Sequence, residues 1–454
     1  MFVLVGLLAL MVGLAVALPF GRVGLLAVVG FAGALVLLGV PNKYLPSVAL
    51  VALVIVPRQL YAETLLNNFS VALFVVLLWR IRLLAVKAGP RSRSLQFINV
   101  LAVILCAWML WVSVLAGSAP FRYTYVIAFA LSLGVFLTAR ASQADVARLL
   151  STWQILAVIL TVYALVEFVL QRNPIFDPLI ALSGSEPVQH WSVYRAYATL
   201  GHPLYAGLFF SIAFAISVGR KLEGGANRNL LFAGAALVGV LLTVSRNSLG
   251  AAAVAAALLV GVSMFSPRSK VPVLARLGLG VLLLGGLVLA FQSSVFQERV
   301  DSAEAGSSTA ARDALLDLAL RAARAHDWLG AGAASAAQAA APFNANEIYI
   351  EGAWYQILIS LGVPGILLFL LLFACSFIFA LRRGRYAAAG AVIAYAFSIS
   401  FTPVLESHRP YLLLLGFVVW SCWAPSSEVP VEPVAVDGRA SATSRRELRS
   451  RSYR

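Results

Sequence analysis

The chain is a succession of long apolar runs separated by short polar segments, from residue 2 to residue 423. Many of these runs approach the roughly 20 residues that an α-helix needs to cross the hydrocarbon core of a bilayer. Backbone polar groups need internal partners in lipid, so runs of this length are expected to form helices. The pattern predicts helices near residues 2–19, 22–40, 46–57, 66–80, 97–116, 120–138, 154–170, 203–219, 229–244, 249–265, 275–292, 353–380, 386–403 and 409–423.

Composition favours a membrane protein over a soluble one. Hydrophobic residues occupy 61% of the 454 positions and charged residues only 12%, and no water-soluble domain hides that much apolar surface. The first run has no basic segment before it and leads into a second run, which favours a spanning helix over a signal peptide. We therefore predict an all-α polytopic integral membrane protein. The segments at 46–57 and 66–80 are short for a span, so the predicted number of transmembrane helices is 12–14.

The distribution of lysine and arginine predicts the orientation of the chain. With the N-terminus in the cytoplasm, 23 of the 34 Lys and Arg residues fall in inner loops or in the tail, and 11 fall outside. This bias satisfies the positive-inside rule. We divide the chain into N-terminal transmembrane helices (1–150), a transmembrane region that carries the candidate chemistry (151–423) and a disordered basic cytoplasmic tail (424–454).

Two predicted outer segments, 171–202 and 293–352, are too long to be simple turns, and long loops in compact chains are usually functional. The second segment contains TAARDALLDLALRAARAHDW (309–328), in which apolar residues recur at helical spacing. Asp317 and Arg321 form a favourable i,i+4 pair on the other side. We predict an amphipathic helix across the outer mouth of the bundle. Its apolar side would present Leu315, Leu318, Ala319 and Ala322.

Motifs for soluble nucleotide chemistry are missing. The chain has no GxxxxGK[ST] loop, no GxGxxG after a strand and no Asp-x-Asp pair. Its four histidines are scattered, without the spacing of a metal site. We therefore predict no metal, no cofactor and no nucleic-acid partner, since a bias of positive charge towards the inner leaflet explains the net charge of +15.

Four charged residues lie close to the predicted outer face. Arg195 precedes a spanning helix, Arg246 lies in a tight turn between two helices, and Arg312 opens the amphipathic helix. Glu351 immediately precedes the helix predicted at 353–380. Charges at such depth are costly, and they usually line a cavity or bind a ligand. Arginine suits a diphosphate because its planar fork makes two charge-assisted bonds to phosphate oxygens. The alternative is that some of these arginines only snorkel to the interface.

Four stretches in order along the chain carry a family pattern. They are RAYATLGHPLYAGLF (195–209), LLTVSRNSLGAAAVA (241–255), the run from Arg312 to Gly332, and EGAWYQILISLGVPG (351–365). Together with the large outer segment before the last of them, they resemble the O-antigen ligase/polymerase superfamily of glycosyltransferases. The resemblance covers roughly residues 150–400.

The resemblance implies a GT-C-like architecture in the bacterial inner membrane, with an active site on the extracytoplasmic side. It implies transfer of a polyprenyl-diphosphate-linked glycan to a hydroxyl of a glycan or lipid acceptor, with membrane lipids as further partners. Ligases of the family usually have His-Asn where Glu351-Gly352 stands here, whereas polymerase-like members often carry an acidic residue. The sequence therefore favours a polymerase, or a ligase with a different acceptor.

Site residues follow from the resemblance as expectations. The donor diphosphate would contact Arg195, Arg246 and Arg312, and Arg312 would also stabilise the developing charge. Glu351 would accept the proton of the acceptor hydroxyl. Three secondary candidates are Glu347, the alternative carboxylate; His202, which would otherwise hydrogen-bond backbone at Pro203; and Glu167, which would otherwise pair with an arginine.

Two other functions compete with glycan transfer. A transporter or flippase for lipid-linked glycans or small solutes would also have many spans and buried charges. Transporters tend to show internal repeats and a central site, whereas the charged residues noted here cluster at the outer face. A peptidoglycan polymerase of the SEDS type shares the donor class, but its characteristic segments are not evident in this sequence.

Overall fold

A computed structural model describes residues 33, 36–56, 69–84, 93–117, 119–138, 142–182, 193–293, 297, 303–345 and 347–424. These residues form helices and connecting segments, with no strand among them. The helices are α1 (Leu45–Ile55), α2 (Val71–Leu84), α3 (Arg93–Leu115), α4 (Pro120–Thr138), α5 (Gln143–Leu170), α6 (Phe176–Leu182), α7 (Pro203–Leu222), α8 (Arg228–Leu242), α9 (Arg246–Phe265), α10 (Val273–Phe291), α11 (Ala303–Ala325), α12 (Ala336–Ala340), α13 (Ala353–Arg382), α14 (Tyr386–Ser398) and α15 (Leu412–Trp423).

Six of the described helices are long and apolar enough to cross a membrane, by length and composition: α3, α4, α5, α7, α9 and α13. Five shorter apolar helical segments lie at Asn42–Ile55, Arg228–Leu242, Val273–Leu289, Tyr386–Phe401 and Arg409–Trp423. The predicted all-α polytopic membrane fold is confirmed. The predicted span 2–19, most of 22–40 and the tail beyond residue 424 lie outside the described residues. The total of 12–14 spans therefore stays a prediction.

The start of α5 differs from the prediction. The helix begins at Gln143 and not at residue 154, because Ser142 and Asp145 form a capping box. The Ser142 N–H donates to Asp145 Oδ2 at 2.9 Å, and the Asp145 N–H donates to Ser142 Oγ at 3.3 Å. Such a box satisfies two backbone groups at a helix start. The division of the chain proposed at residue 150 consequently falls inside a continuous helix.

Helix α7 is the central element of the bundle. Nearly all of its residues are buried, and it packs against α5, α8, α9 and α14. Ring stacking supports this packing, with the centroids of Trp153 on α5 and Phe209 on α7 5.4 Å apart. Because α7 is enclosed by protein on all sides, the polar segments at its two ends are held in fixed positions.

Basic residues gather at one end of the bundle, here called the basic end. Arg220 at the end of α7 donates to Gln154 Oε1 at 2.7 Å and to Ser151 Oγ at 2.8 Å. Arg385 before α14 donates to the Ala424 carbonyl at 2.7 Å. Arg220 and Arg385 are among the 23 basic residues that the predicted orientation assigns to the cytoplasmic side. The opposite end, here called the site end, carries the residues singled out from the sequence.

The predicted amphipathic helix is confirmed as α11, which begins six residues before the predicted start and packs against α12 and α13. The four apolar residues named for its inner side are all buried. Asp317 and Arg321 form the expected ion pair, with 2.9 Å between carboxylate and guanidinium, on the exposed side. Sequence periodicity was sufficient here because the helix has one apolar side only.

Helix α13 is broken in the middle, which the sequence analysis did not predict. Gly362 has φ 68° and ψ −169°, and Pro364 lies inside the helix. The freed carbonyl groups accept hydrogen bonds from side chains and backbone of other segments, as buried backbone in a membrane protein requires. The pairs are Ala331 N–H to Ile359 O (2.9 Å), Gly332 N–H to Ser360 O (3.0 Å) and Trp108 Nε1–H to Leu361 O (2.8 Å).

Candidate functional site

Arg195 lies in an extended strap, residues 193–202, which covers the site end of α8. The guanidinium Nε donates to the Thr243 carbonyl at 3.2 Å, and the Ala196 N–H donates to the Leu242 carbonyl at 3.0 Å. The Arg195 side chain is buried. The strap therefore fixes Arg195 next to the turn that leads into α9, where Arg246 is the first helical residue.

Glu167, near the end of α5, holds the same strap from the other side. Its carboxylate accepts hydrogen bonds from the Tyr194 hydroxyl (3.1 Å), the Tyr197 N–H (3.0 Å) and the Ala198 N–H (2.8 Å). The side chain is fully buried. An arginine partner was the structural role predicted for it, and these contacts correct that expectation. Two backbone N–H groups take the place of a cation, so Glu167 positions the strap that carries Arg195.

His202 caps the start of α7, as predicted. Its Nδ1 accepts a hydrogen bond from the Leu204 N–H at 3.1 Å. Burial, and then the positive charge of Arg195, lower the pKa of the imidazole from 6.5 to about 3. The ring is therefore neutral at physiological pH, with its proton on Nε2. Its position beside Arg195 keeps the site end free of a second positive charge at this point.

The turn between α8 and α9 joins the strap to α14. Ser245 caps α9 by accepting from the Ser248 N–H at 3.3 Å. Arg246 follows directly, and the side chain of Asn247 donates to the Ser398 carbonyl at the end of α14, at 3.0 Å. Arg195 and Arg246 are thus placed at two ends of one short turn.

The segments that carry Arg312 and Glu351 contact the same end of α14 and the turn that follows it. The Arg312 guanidinium carbon lies 5.2 Å from the centroid of the Phe401 ring, a cation–π contact. Trp354 at the start of α13 donates from Nε1 to Ser400 Oγ at 3.1 Å. Glu351 lies three residues before Trp354 and is half-buried. The segments that carry Arg246, Arg312 and Glu351 therefore meet around residues 398–401. Arg195 lies at the adjacent turn, through its bond to the Thr243 carbonyl.

Beside this meeting point lies a cavity of about 770 Å³. It is bounded by α12 and the segment after it, by the start of α13 and by the loop between α14 and α15. Its polar lining includes Glu347, the alternative carboxylate, whereas Glu351 is not among the lining residues. Among the described residues, the lining consists of Phe121, Ala334, Ala336, Ala337, Ala341, Asn344, Glu347, Ile348, Tyr349, Ile350, Gln356, Glu406, Ser407 and Arg409.

Glu406 is a functional candidate that the sequence analysis missed. It lies in the loop between α14 and α15 and is only 7% exposed. Burial raises the pKa of its carboxyl from 4.5 to about 7, against the opposing effect of hydrogen bonds from Ser360 and the backbone of Ala336 and the charge of Arg409. A signal existed in the sequence, because TPVLESHRPY is a short connector that carries a glutamate, a histidine and an arginine between two apolar runs.

The arrangement offers positive charge and carboxylates at neighbouring places. Within the described part of the chain, no group of three or more His, Cys, Asp or Glu side chains is placed to hold a metal ion. The charged groups that could contact a ligand at the site end are the arginines around 398–401 and the carboxylates around the cavity.

Comparison with known families identifies this region. The sequence model of the O-antigen ligase family matches residues 231–370. The match covers about a third of the chain and confirms the predicted resemblance to the O-antigen ligase/polymerase superfamily over these residues. The matched part contains Arg246, Arg312, Glu347 and Glu351, whereas Arg195 and Glu406 lie outside it. A search of curated proteins found no match to the chain.

Proposed function

We propose that the protein is a membrane glycosyltransferase that moves a glycan from a polyprenyl diphosphate donor to an acceptor hydroxyl. The reaction would take place on the extracytoplasmic side of the bacterial inner membrane. The observation that carries the proposal is the convergence of the segments of Arg246, Arg312 and Glu351 around residues 398–401. These three residues, though not 398–401, lie in the part of the chain that matches the O-antigen ligase family. Arg195 adds a buried cation at the adjacent turn.

In the proposed reaction the arginines and the carboxylates have different roles. The acceptor oxygen attacks the anomeric carbon, the bond from that carbon to the diphosphate oxygen breaks, and polyprenyl diphosphate leaves with the electron pair. Arg195, Arg246 and Arg312 neutralise the diphosphate as its negative charge grows, so the departure needs no metal ion. Preorganised donors of this kind are typically worth about 100- to 1,000-fold in rate each.

The proton of the acceptor hydroxyl goes to a carboxylate. We assign this role to Glu351, and Glu347 is the alternative because it lines the neighbouring cavity. A general base typically contributes about 100- to 10,000-fold. Polymerase activity is favoured over ligase activity by the acidic residue at position 351, where ligases usually have histidine.

The test is genetic complementation in the host. A strain that lacks the gene is expected to accumulate a lipid-linked glycan, and the wild-type gene should clear it. Arg312→Ala should fail to clear it, whereas Arg321→Ala, on the exposed side of the same helix, should behave as wild type. The length distribution of the finished surface glycan separates polymerase from ligase.

If Arg312→Ala cleared the lipid-linked glycan as well as Arg321→Ala does, that result would contradict the proposed role of Arg312 in diphosphate binding. Accumulation of the glycan only on the cytoplasmic face in the deletion strain would instead favour a flippase over a transferase. Membrane levels of each variant are measured in the same cells, so that lost activity is compared at equal amounts of protein.

A further inference from the structure

The loop between α9 and α10, residues 266–272, carries two exposed cations at the basic end, Arg268 and Lys270. The stem of each side chain lies against a glycine of a neighbouring loop. A Cβ atom added at Gly224 would stand 2.9 Å from Lys270 Cβ, and one added at Gly384 would stand 3.6 Å from Arg268 Cβ. The ends of α7 and α13 therefore hold both stems in place.

Arg276, in the first turn of α10, holds the backbone of the same loop. Its buried guanidinium donates to the carbonyl groups of Val271 (2.6 Å), Ser269 (3.2 Å) and Ser263, the last of which lies in the final turn of α9. Carbonyl groups at a helix end need such partners. Arg268 and Lys270 are thus carried by a backbone that hydrogen bonds fix.

Positive charge prevails around this loop. Two further exposed cations, Arg228 and Arg382, lie within four residues of the two glycines that the loop contacts. Among the described residues of the three adjoining loops, Glu223 is the carboxylate; its charge acts on Lys270, and its Oε1 accepts a hydrogen bond from the Ala387 N–H at 2.8 Å. One carboxylate does not neutralise four exposed cations, so an anionic partner is expected here.

An apolar groove of about 710 Å³ lies between α9 and α10 and begins beside this loop. Met264 and Leu277 line the end of the groove next to the loop, and small residues such as Ala257 leave room farther along α9. At 1.5 Å per residue, the lining of α9 from Met264 to Ala253 is about 17 Å long. That length is close to half of the roughly 30 Å hydrocarbon core, which is the depth of one leaflet.

Exposed apolar side chains flank the two cations along the chain. Phe265 is 91% exposed and Leu274 is 80% exposed, so the segment 265–274 presents cations between two apolar groups. The positive-inside bias accounts for cations at this depth, but it does not account for an apolar groove that begins beside them. Basic pockets between spanning helices on the cytoplasmic side are suited to anionic lipid headgroups.

We propose that this site binds an anionic phospholipid from the leaflet next to the basic end, which the predicted orientation makes the inner leaflet. Its phosphate would contact Arg268 and Lys270, which donate charge-assisted hydrogen bonds to phosphate oxygens. One of its acyl chains would lie in the groove between α9 and α10. The proposal does not depend on glycan transfer, because the site lies at the opposite end of α9 from Arg246.

The polyprenyl chain of a donor is the competing occupant, since the lining continues along α10 to Phe291. A donor would have its diphosphate at the site end, beside Arg246. Its binding would therefore not depend on Arg268 or Lys270. Dependence on these two cations is the property that distinguishes a phospholipid from the donor.

Binding is tested with the purified full-length protein in nanodiscs of phosphatidylcholine. A bimane dye is attached at Ala257→Cys, an exposed position in the groove, after replacement of Cys106, Cys375 and Cys422. Phosphatidylglycerol or phosphatidylcholine with brominated acyl chains, which quench the dye on contact, is then added in increasing amounts. We expect brominated phosphatidylglycerol to reach half-maximal quenching at an about tenfold lower fraction, as two contacts to Lys or Arg would give.

Two controls show whether the preference belongs to the groove. A dye at Ile159→Cys, which is 56% exposed on α5, should be quenched equally by both brominated lipids. Excess unbrominated phosphatidylglycerol should restore the fluorescence of the dye at Ala257→Cys and leave that at Ile159→Cys largely unchanged.

Variants then identify the residues that bind the phospholipid. Arg268→Gln and Lys270→Gln should each reduce the preference about fivefold, whereas Lys43→Gln, which removes another exposed cation from the predicted cytoplasmic side, should leave it unchanged. Gly261→Leu should weaken quenching by filling the groove. A Cβ atom at Gly261 meets no atom within 4 Å, so this variant is expected to fold.

Three results would overturn the phospholipid site. Equal quenching by the two lipids at Ala257→Cys, or a preference that Lys43→Gln lowers as much as Lys270→Gln does, would leave only a general charge bias. Displacement of the brominated lipid by polyprenyl diphosphate, undiminished in Arg268→Gln and Lys270→Gln, would assign the groove to the donor. Absence of quenching by either lipid would mean that a second copy of the chain or another protein covers the groove.

Discussion

Replacing Gly362 with alanine should destabilise the protein and close the cavity beside Glu406. The backbone at this position has φ 68° and ψ −169°, a region that is essentially restricted to glycine. A Cβ atom would stand 2.1 Å from the Trp328 carbonyl oxygen and 2.5 Å from the Leu329 carbonyl carbon. Both neighbours are backbone, so neither can rotate away as a side chain would.

The expected cost has two parts. Backbone strain at such a conformation costs about 1–3 kcal/mol, and an added methyl group in a well-packed interior costs about 1–3 kcal/mol more. A loss of roughly 2–6 kcal/mol is large against the 5–15 kcal/mol that stabilises a typical folded domain. Relief of the clash requires the segment at 328–332 to move, which would also remove its hydrogen bonds to the broken helix.

Thermal unfolding of the purified protein in detergent, followed by size-exclusion chromatography with fluorescence detection, measures the loss. Gly134→Ala is the matched control: it lies in α4, and a Cβ there meets no atom within 4 Å. Alanine should be neutral or stabilising by about 0.5–1 kcal/mol at that helical position. If Gly362→Ala melts at the temperature of the wild type and of Gly134→Ala, the break in α13 is not the constraint described here.

Three further predictions concern the supports of the site. Glu167→Gln places an amide N–H against strap N–H groups and should cost about 1–3 kcal/mol, seen as a lower melting temperature; an unchanged value would contradict the role of Glu167. Trp108→Phe should cost about 0.5–1.5 kcal/mol by removing the bond to the Leu361 carbonyl, measured in the same way. Because the pKa of Glu406 is raised to about 7, the folded chain holds more protons than the unfolded chain between pH 4.5 and 7. The contribution of Glu406 to stability should therefore fall as pH rises through this window, by up to about 3 kcal/mol. Glu406→Gln should reduce the difference between melting temperatures at pH 5 and pH 8, and an unchanged difference would contradict the raised pKa of Glu406.

A helix could be predicted from the sequence where a single physical property determined its position. Apolar length set the spans, so α4 was placed with its observed bounds, and one-sided periodicity was enough for α11. The start of α5 was missed because its first turns, residues 143–153, mix polar and apolar positions, and a capping box decides where the helix begins. A window based on hydrophobicity does not detect that hydrogen bond.

The break in α13 was missed for a different reason. Gly362 and Pro364 are compatible with a merely kinked membrane helix, and the partners that satisfy the broken backbone come from residue 108 and from residues 328–332. Contacts between segments so distant in sequence are not visible in a single chain. The same limit applies to Glu406, which was passed over as part of a short turn because its importance depends on the cavity that α12 and α13 form around it.

Site residues were easier to locate than to assign. Arginine next to a helix start pointed to Arg195, Arg246 and Arg312. The structure places the segments of Arg246 and Arg312 at one end of α14, with Arg195 at the adjacent turn. Glu167 was named as a secondary candidate with an arginine partner as its alternative role, but its partners are the Tyr194 hydroxyl and two backbone N–H groups of the strap. A charged residue at a helix end is visible in sequence, whereas the identity of the group it contacts is not.

The most direct test of the account is transfer by the purified protein in liposomes. The lipid-linked glycan that accumulates in a deletion strain is the substrate, and release of polyprenyl diphosphate and formation of a longer or acceptor-linked glycan are followed by mass spectrometry. The account predicts that both products form together with the wild type and Arg321→Ala, and fall together about 100-fold or more with Arg312→Ala. Movement of intact donor across the bilayer without release of polyprenyl diphosphate would contradict it.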